Sequence, residues 1–358
     1  MALALVLTLL AGNLFQLSLS SSSADSSAAV LLEAYKSRFL PSPQQHPPTY
    51  AHGNFVGGVG LRCHLRPSFP SPASSAQADD SSHYPPGAAV AVGIVSALGN
   101  RARRDALRRT WLTLPSIAVP SLPSGSFEYA FFLGLDSSRQ IPPHVVQEMN
   151  EFHDIVVVDI VDTYKNMIYK VVALETWGSR ACGASYVLRS NDDVYLNLSV
   201  LFRSLLQQVP AGIYGGYFLS DVLVLRPDGG GDAAAAAAEV APEKSSAVPV
   251  SVYPSDVYPV FAQGNAYVLS RDMAEVVVGL SEEPWRRLFA DDILVGLLMD
   301  GRRARMVMIQ ADFAPDGGRN ECREGSVFQF DIGVEAMDRM YFNDVNGRPH
   351  CEGVEVLV

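Results

Sequence analysis

Short apolar runs of strand length alternate with segments of helical periodicity between residues 88 and 219. The runs that we interpret as strands are 88–96, 128–135, 154–160, 185–189 and 213–219. The segments between them that we interpret as helices are 101–114, 142–152, 166–179 and 197–206. Strands that alternate with helices at this spacing predict an α/β fold, with a Rossmann-like, mostly parallel sheet flanked by helices.

Three polar residues, Asn191, Asp192 and Asp193, follow the fourth predicted strand directly. Ligands of open α/β sheets bind beyond the carboxyl ends of the strands. Two neighbouring carboxylates offer the hard oxygen donors that suit Mg²⁺ or Mn²⁺ better than zinc, and such an ion can hold a diphosphate. Taken alone, an Asp-Asp pair is more often a solvated turn or a helix cap. The metal interpretation therefore depends on the motifs around it.

The charge balance restricts which ligands the chain can bind. It has 358 residues, with 27 Lys and Arg against 38 Asp and Glu, for a net charge of −11. A nucleic-acid-binding surface is basic, so we expect no nucleic-acid partner. An anionic substrate would require a metal ion or local arginines to offset repulsion. The length permits one large domain or two small ones.

We predict three parts along the chain. Segment 1–23 has no charged side chain and is mostly apolar, which suggests a signal peptide or a signal-anchor, although a buried helix is an alternative. Segment 24–86 is rich in Ser, Pro and Ala and is expected to be a flexible stem. Residues 87–358 would then form the catalytic domain, with 226–250 as a low-complexity loop insertion without a role in chemistry.

The four cysteines do not identify their own partners. They are Cys63, Cys182, Cys322 and Cys351, and none of them is in CxxC spacing. Such spacing argues against a zinc site of the common kinds. Three disulfide pairings are possible, and the sequence does not choose among them.

Several separated motifs point to one protein family. They are R-D-A-L-R-R-T-W at 104–111, F-L-G at 132–134, D-T-Y-K-N at 162–166 with Lys170, N-D-D at 191–193, Y-P at 258–259 with Gly264, and D-D-I at 291–293. Each motif alone is weak. In this order and at this spacing they resemble the β-1,3-galactosyltransferase family, also called glycosyltransferase family 31.

The resemblance implies a GT-A type fold, a UDP-sugar donor bound with Mn²⁺ or Mg²⁺, and an inverting transfer that forms a β-1,3 linkage. The donor sugar would be galactose or N-acetylglucosamine, and the acceptor a glycan on a glycoprotein or glycolipid. The resemblance also implies a single-pass type II protein of the Golgi membrane, held by the N-terminal segment; a secreted protein is the alternative.

The resemblance also suggests roles for individual residues. Asp193, with Asp192 beside it, would hold the metal ion, and Asp292 would be the catalytic base, although an Asp at that position also suits a helix cap. Donor contacts are expected from the residues Arg104, Arg108, Lys170, Asn191, Asp192 and Gly264. The arginines and the lysine also fit a solvated helix face. We expect Trp111 and Tyr164 in the core rather than stacked on a sugar.

The chain departs from the family motifs at several positions. Asn191 replaces the first Asp of the D-D-D motif, Asp291 replaces a Glu, and Met167 and Ile168 replace a Leu-Thr pair. These changes leave open a second function of a different class. In that case the chain would be a non-catalytic, transferase-like protein that binds sugar or assists a partner enzyme.

Overall fold

The computed structural model of the chain describes residues 90–116, 127–206, 208–226, 247–280, 290–309, 311 and 321–355. The predicted N-terminal segment, the predicted stem and most of the loop at 226–250 lie outside these ranges, so the predicted domain boundaries stay predictions. Within the described ranges, no helix combines the length and the apolar character that crossing a bilayer requires.

A seven-stranded sheet lies at the centre of the fold. The strands in chain order are β1 (Val90–Val95), β2 (Phe127–Leu135), β3 (Ile155–Val161), β4 (Tyr186–Asn191), β5 (Tyr195–Leu196), β6 (Ile213–Leu219), β7 (Phe261–Ser270), β8 (Arg305–Met308) and β9 (Phe328–Gln329). The large sheet has the order β3-β2-β1-β4-β7-β6-β8, and β5 pairs with β9 in a separate small sheet.

Most strands of the large sheet run in one direction. β1 pairs in parallel with β2 and β4, and β3 continues the parallel set beside β2. β7 is antiparallel to both of its neighbours, β4 and β6, whereas β8 is parallel to β6. The predicted mostly parallel sheet flanked by helices is confirmed, with one reversed strand that the sequence did not indicate.

Helices cover both faces of the sheet. They are α1 (Arg101–Arg109), α2 (Pro143–Phe152), α3 (Met167–Thr176), α4 (Leu198–Leu206), α5 (Arg271–Val278), α6 (Asp291–Gly301) and α7 (Val334–Val345). One buried cluster combines α3, α5 and α6 with one sheet face, and a second combines α1, α2, α4 and α7 with the other. Successive strand residues alternate between the two: Ala91 belongs to the first cluster, Val90 and Val92 to the second.

Some element boundaries differ from the predicted ones. α1 ends at Arg109, and a 3₁₀ segment follows, because the N–H of Thr110 bonds the carbonyl of Leu107 and tightens the turn. α3 ends at Thr176 and continues as a π-helical turn. Beyond residue 310, where we predicted no element, the structure contains β9 and α7.

Disulfide bonding is defined for the described cysteines. Cys322 bonds to Cys351, and Cys182 is also disulfide-bonded. The first of these bonds connects the chain before β9 to the chain after α7. Because β9 pairs with β5, which follows Asp193 closely, the C-terminal region is tied to the carboxyl edge of the sheet.

Candidate active site

The predicted carboxylates lie at the carboxyl edge of the parallel strands. β4 ends at Asn191, whose register partner on β1 is Val95. The next residue of each strand, Asp192 and Ser96, therefore meet where the two strands end. α6 begins with Asp291 and Asp292, and Asp291 contacts β4 through Arg189. This is the edge at which open α/β sheets bind their ligands.

Asp192 is buried and held by the loop between β1 and α1. Its Oδ2 accepts hydrogen bonds from the Ser96 hydroxyl at 2.6 Å and from Asn100 Nδ2 at 2.9 Å. Its Oδ1 accepts a longer bond from the Arg103 guanidinium at 3.2 Å. With three donors on two oxygens, the carboxylate has a defined orientation.

Asp193 has a carboxylate oxygen without a partner. Arg103 donates to its Oδ2 at 2.9 Å, but its Oδ1 is buried and accepts no hydrogen bond from any described residue. Burial, together with the negative charge of Asp192, raises the pKa of Asp193 above its usual range. A buried carboxylate oxygen without a donor is costly, and a hard cation ligated there would remove that cost.

The described residues do not form a complete protein cage for a metal ion. No group of three or more His, Cys, Asp or Glu side chains among them is placed to hold an ion. A cation bound at Asp193 would therefore be ligated in part by groups other than these side chains. Mg²⁺ sites of this kind, with one or two carboxylates plus substrate phosphates, are common.

Arg103 is a site residue that the sequence reasoning missed. Its NH1 bridges both carboxylates, and its side chain is still 41% exposed, so it reaches the edge from the solvent side. The available signal was its position in the first turn of the helix that follows β1, because that turn meets the end of β4. The resemblance pointed to Arg104 and Arg108 instead, because these two lie within the family motif.

Arg104 and Arg108 form ion pairs that connect α1 to α2 and to Asp154, the residue before β3. Arg104 is fully buried and donates to Glu148 through Nε at 2.8 Å and NH2 at 2.7 Å, with NH1 on the Ser96 hydroxyl. Arg108 donates twice to Asp154 at 2.8 Å and lies 3.9 Å from the ring centroid of Phe152. The donor contacts proposed for both stay predictions, and the geometry favours Arg103 for that role.

Lys170 lies beneath the site. It is 1% exposed, and its ammonium donates to the Ser96 carbonyl at 2.9 Å and to Asp162 Oδ1 at 2.6 Å. Asp162 Oδ2 in turn accepts the backbone N–H of Gly134. Burial lowers the pKa of Lys170, opposed by the charge of Asp162. The lysine thus joins α3 to the ends of β1, β2 and β3.

Gly264 makes room for a carboxylate. A Cβ at this position would stand 2.8 Å from Asp292 Oδ2, closer than such contacts normally come. We had expected the glycine to admit the donor, whereas the described contact is with Asp292. The neighbouring Asn265 accepts a hydrogen bond from Asn191 Nδ2 at 3.0 Å, so the Asn at the first motif position binds β7.

Asp291 and Asp292 form a carboxylate pair with unequal surroundings. Asp291 is 5% exposed and pairs with the Arg189 guanidinium at 3.3 Å. Asp292 is only partly buried, and its Oδ1 accepts the N–H of Ile293 at 2.8 Å. Burial and the charge of Asp291 raise the pKa of Asp292 to about 7. A carboxyl with such a pKa is suited to general base catalysis near neutral pH.

Tyr164 is not in the core, which corrects our expectation. Its side chain is 47% exposed on the 3₁₀ turn Tyr164–Asn166, which follows β3 at the carboxyl edge. Burial raises its pKa, and so do the charges of Asp292 and Asp291. The ring therefore lies within electrostatic reach of the carboxylate pair. Trp111 is buried as expected, with Nε1 donating to the Val194 carbonyl.

Comparison with known proteins gives one consistent result. A family model described as galactosyltransferase matches residues 102–309. "Beta-1,3-galactosyltransferase GALT1" of Arabidopsis thaliana is 26% identical over 208 residues, which cover 58% of this chain and 29% of that protein. "Beta-1,3-galactosyltransferase 5" of Pan troglodytes is 28% identical over 236 residues, which cover 64% of this chain and 72% of that protein.

Further relatives differ in the sugar that their names specify. "Lactosylceramide 1,3-N-acetyl-beta-D-glucosaminyltransferase A" of Xenopus laevis is 29% identical over 211 residues, which cover 57% of this chain and 52% of that protein. The solved galactosyltransferase LgtC, in complex with donor and acceptor sugar analogs, matches with a TM-score of 0.32 and 12% identity over 68% of this chain and 87% of that one. The match with the Arabidopsis protein spans less than a third of that protein's length.

Proposed function

The chain belongs to the galactosyltransferase family, whose model matches 208 of its 358 residues, and from this premise we propose the reaction that it catalyses. It is an inverting, metal-dependent hexosyltransferase that moves galactose or N-acetylglucosamine from a UDP-sugar to a glycan acceptor in β-1,3 linkage. The observation that carries the proposal is the unpartnered, buried Oδ1 of Asp193, at the same sheet edge as the carboxyl of Asp292.

Asp193, with Asp192 beside it, would hold Mn²⁺ or Mg²⁺, which stabilises the negative charge that grows on the UDP leaving group. The chain's own contribution is to present a carboxylate that is already oriented. Ser96 and Asn100 hold Asp192 in place, so little reorganisation is needed when the donor binds. Arg103 neutralises both carboxylates in the free protein and is placed to turn toward a diphosphate.

Asp292 would take the proton from the acceptor hydroxyl as that oxygen attacks the sugar. Single displacement with inversion needs one base and no enzyme nucleophile. The ionised form of Asp292 is the active one. The backbone N–H of Ile293 donates a hydrogen bond to Oδ1 of Asp292, which fixes that oxygen and leaves Oδ2 available. Asp291 is paired with Arg189 and so is less suited to accept a proton.

The other predicted donor residues divide into two groups. Asn191 is the candidate for a contact to the ribose or the nucleobase of the donor, and it would give up its hydrogen bond to Asn265 to make that contact. We propose that Arg104, Arg108 and Lys170 support the site from below rather than touch the donor. Arg104 and Lys170 both bond Ser96, which in turn holds Asp192.

We also propose that the protein works in the Golgi membrane as a single-pass type II protein, with a secreted form as the alternative. The apolar segment at 1–23 supports entry into the secretory pathway. The Cys322–Cys351 disulfide is consistent with an oxidising compartment. The acceptor would be a glycan on a glycoprotein or glycolipid, and the acidic charge balance argues against nucleic acid.

A non-catalytic, transferase-like protein is the second candidate. The positive charge of Arg103 is paired with both carboxylates, which is a role that a metal ion could otherwise fill, and Asn191 replaces the acidic residue expected at the first position of the motif. Such a protein would bind sugar or assist a partner enzyme without turnover.

Measurement of UDP release distinguishes the two candidates. The full-length chain is produced through a secretory route and assayed with UDP-galactose and with UDP-N-acetylglucosamine, each with Mn²⁺ and a panel of simple acceptor sugars. Asp193→Ala and Asp292→Ala are compared with Asp338→Ala, which removes only an exposed pair with Arg109.

We expect metal-dependent release by the wild type and by the Asp338 variant, and a loss of at least about 100-fold in the other two. Release that survives Asp193→Ala would contradict the metal assignment. UDP binding without release from either donor or from further nucleotide sugars would favour the non-catalytic candidate.

A further inference from the structure

A group of buried polar side chains lies behind the proposed base, and the mechanism above does not use it. Arg189 on β4 is 2% exposed, and Glu175 on α3 and Tyr267 on β7 are fully buried. Arg189 and Tyr267 are register partners in adjacent strands, so their side chains leave the sheet on the same face. The guanidinium carbon lies 5.8 Å from the centroid of the Tyr267 ring.

The strand geometry directs Arg189 toward α3 and α6. Val187, two residues earlier on β4, packs against Gly178 in the turn that continues α3, where a Cβ would come within 2.6 Å of it. Side chains two apart in a strand share a face, so Arg189 is also on this side, one pleat closer to the carboxyl edge. There its NH2 reaches Asp291 Oδ2 at 3.3 Å.

Most polar atoms of this group have no hydrogen-bond partner among the described residues. They are both carboxyl oxygens of Glu175, the Nε and NH1 of Arg189, and the hydroxyl of Tyr267. A buried carboxylate without a donor or a paired cation is strongly disfavoured, and the group then takes up a proton instead. Burial accordingly raises the pKa of Glu175 well above its usual range, although the charge of Arg189 opposes this.

The positive charge of Arg189 thus acts on three carboxyl groups. Asp291 makes the direct contact, Asp292 is next to it on α6, and Glu175 approaches from α3. If Glu175 were ionised, it would compete with the Asp pair for the positive charge. If it is neutral, the charge of Arg189 stabilises Asp291 and Asp292 alone.

We propose that Arg189 is a positioning residue for the base, and that Glu175 is held as a neutral carboxylic acid, which leaves the guanidinium charge to the Asp291–Asp292 pair. The first half of the proposal rests on the function proposed above, and the second half does not. The same buried cation would orient Asp291 and favour the ionised form of Asp292.

The titratable and charged groups around the pair come from several elements. Arg189 on β4 contacts Asp291. Glu175 and Lys170 on α3, and Tyr267 on β7, lie within electrostatic reach of Arg189. Tyr214 on β6, Tyr258 before β7 and Tyr164 on the 3₁₀ turn also lie within electrostatic reach of Asp292. The charge of Arg189 lowers the pKa of Asp292, so its removal has a defined direction: the proton affinity of Asp292 rises.

The first experiment compares full-length Arg189→Gln, Arg189→Lys and Glu175→Gln in the UDP-release assay across pH. We expect Arg189→Gln to move the midpoint of the acid limb of kcat/KM to a pH about one unit higher. At a pH below that limb, kcat/KM of the variant should be about ten-fold lower than that of the wild type. The KM for the UDP-sugar should change by less than about two-fold, because the ion pair of Arg189 is with Asp291 and not with the proposed metal ligands. Arg189→Lys should restore part of the shift, and Glu175→Gln should leave the limb in place.

A charge-balanced double variant separates the electrostatic effect of Arg189 from a loss of folding. Arg189→Gln with Asp291→Asn removes one charge of each sign, so no uncompensated buried carboxylate is created. We expect the acid limb to return toward the wild-type position. An unmoved limb in Arg189→Gln, or an equal loss at all pH values that the double variant does not relieve, would overturn the positioning role.

The second experiment tests Glu175 without any enzymatic readout. Urea unfolding of the wild type and Glu175→Gln is compared from pH 5 to 8. If Glu175 is protonated in the native state and ionised in the unfolded chain, the wild type becomes less stable as pH rises. The Gln side chain of the variant does not titrate, so its stability lacks this pH dependence. The ratio of the two unfolding constants should change by up to about ten-fold per pH unit. A ratio that is constant with pH would overturn the neutral Glu175.

A failure of the transferase proposal would be distinguishable from a failure of this one. If no nucleotide sugar is turned over, unfolding of Asp292→Asn against wild type still reports the proton affinity of Asp292 through its pH dependence. That comparison is repeated in the Arg189→Gln background, where the midpoint should move to higher pH. An unchanged midpoint would contradict the electrostatic link between Arg189 and Asp292.

Discussion

At the scale of single residues, the most direct prediction concerns Asp292 and the pH dependence of kcat/KM. Burial and the charge of Asp291 raise its pKa to about 7, and a general base acts in its ionised form. We expect kcat/KM to fall by about ten-fold per pH unit as the pH drops below about 7, and to level off above it. A rate profile of the wild type from pH 5 to 9 tests this.

The control for this profile is the acid stability of the protein itself. Circular dichroism at each pH shows whether the fold persists where activity is lost. An acid limb centred near the ordinary carboxyl range, with the fold intact, would mean that Asp292 is not the titrating base.

Gly264 provides a second prediction at the same scale. Gly264→Ala places a methyl group 2.8 Å from Asp292 Oδ2, so the carboxylate must move. Because small displacements of a reacting group are costly to catalysis, we expect kcat to fall by at least about ten-fold. Gly99→Ala is the matched control, because a Cβ there meets nothing within 4 Å. Equal activity of the two variants would contradict the close contact.

At the scale of elements, α1 combines a structural face with a functional one. Its Arg104 and Arg108 bind α2 and the start of β3, while Arg103 on another side of the helix reaches the carboxylates. Sequence spacing identified the arginine-rich helix but not the direction of each side chain, because that depends on where α2 and β4 lie. The same helix thus binds Ser96 through the buried Arg104 and pairs with Asp193 through the more exposed Arg103.

The structural face of α1 has a measurable consequence. Arg104→Met would leave the fully buried carboxylate of Glu148 with Arg108 as its remaining cationic partner. We expect a loss of about 2–3 kcal/mol in the free energy of unfolding, measured by urea denaturation, which is less than a buried charge without any partner would cost. Arg109→Met, which removes an exposed pair with Asp338, should cost less than about 1 kcal/mol. Similar losses in the two variants would contradict the buried pair as a determinant of stability.

At the scale of the whole molecule, the C-terminal region stabilises the site edge. Cys322 and Cys351, 29 residues apart, enclose β9 and α7. Tyr195 on β5 donates to Asp344 on α7 at 2.7 Å, and His350 lies 2.7 Å from the same carboxylate. The disulfide therefore closes a loop that packs behind β5, next to the carboxylates that we propose as metal ligands.

Removal of this disulfide should destabilise the protein as a whole. For a closed loop of this length, Cys322→Ala with Cys351→Ala is expected to cost about 3–4 kcal/mol through greater entropy of the unfolded chain. Thermal unfolding of the oxidised wild type and the double variant measures the difference. A melting temperature unchanged by the double variant would show that the C-terminal region does not contribute to global stability.

The sequence by itself determined the α/β class, the mostly parallel sheet and the place where the carboxylates gather. These features follow from local periodicity and from the rule that parallel strands end at one edge, so they need no knowledge of distant contacts. The motifs also sufficed for the family, because their order along the chain is itself one-dimensional information. The roles of Asp193 and Asp292 follow from those motifs and stay predictions.

The tertiary structure decided what depends on contacts between distant segments. It reversed β7, paired β5 with β9, joined Cys322 to Cys351 and left Tyr164 exposed. It also placed Arg103, rather than the motif arginines, against Asp192 and Asp193, and it gathered Glu175, Arg189 and Asp291 behind the proposed base. Such groups meet only after strands and helices from separate parts of the chain have packed, and their energies depend on burial that no local pattern specifies.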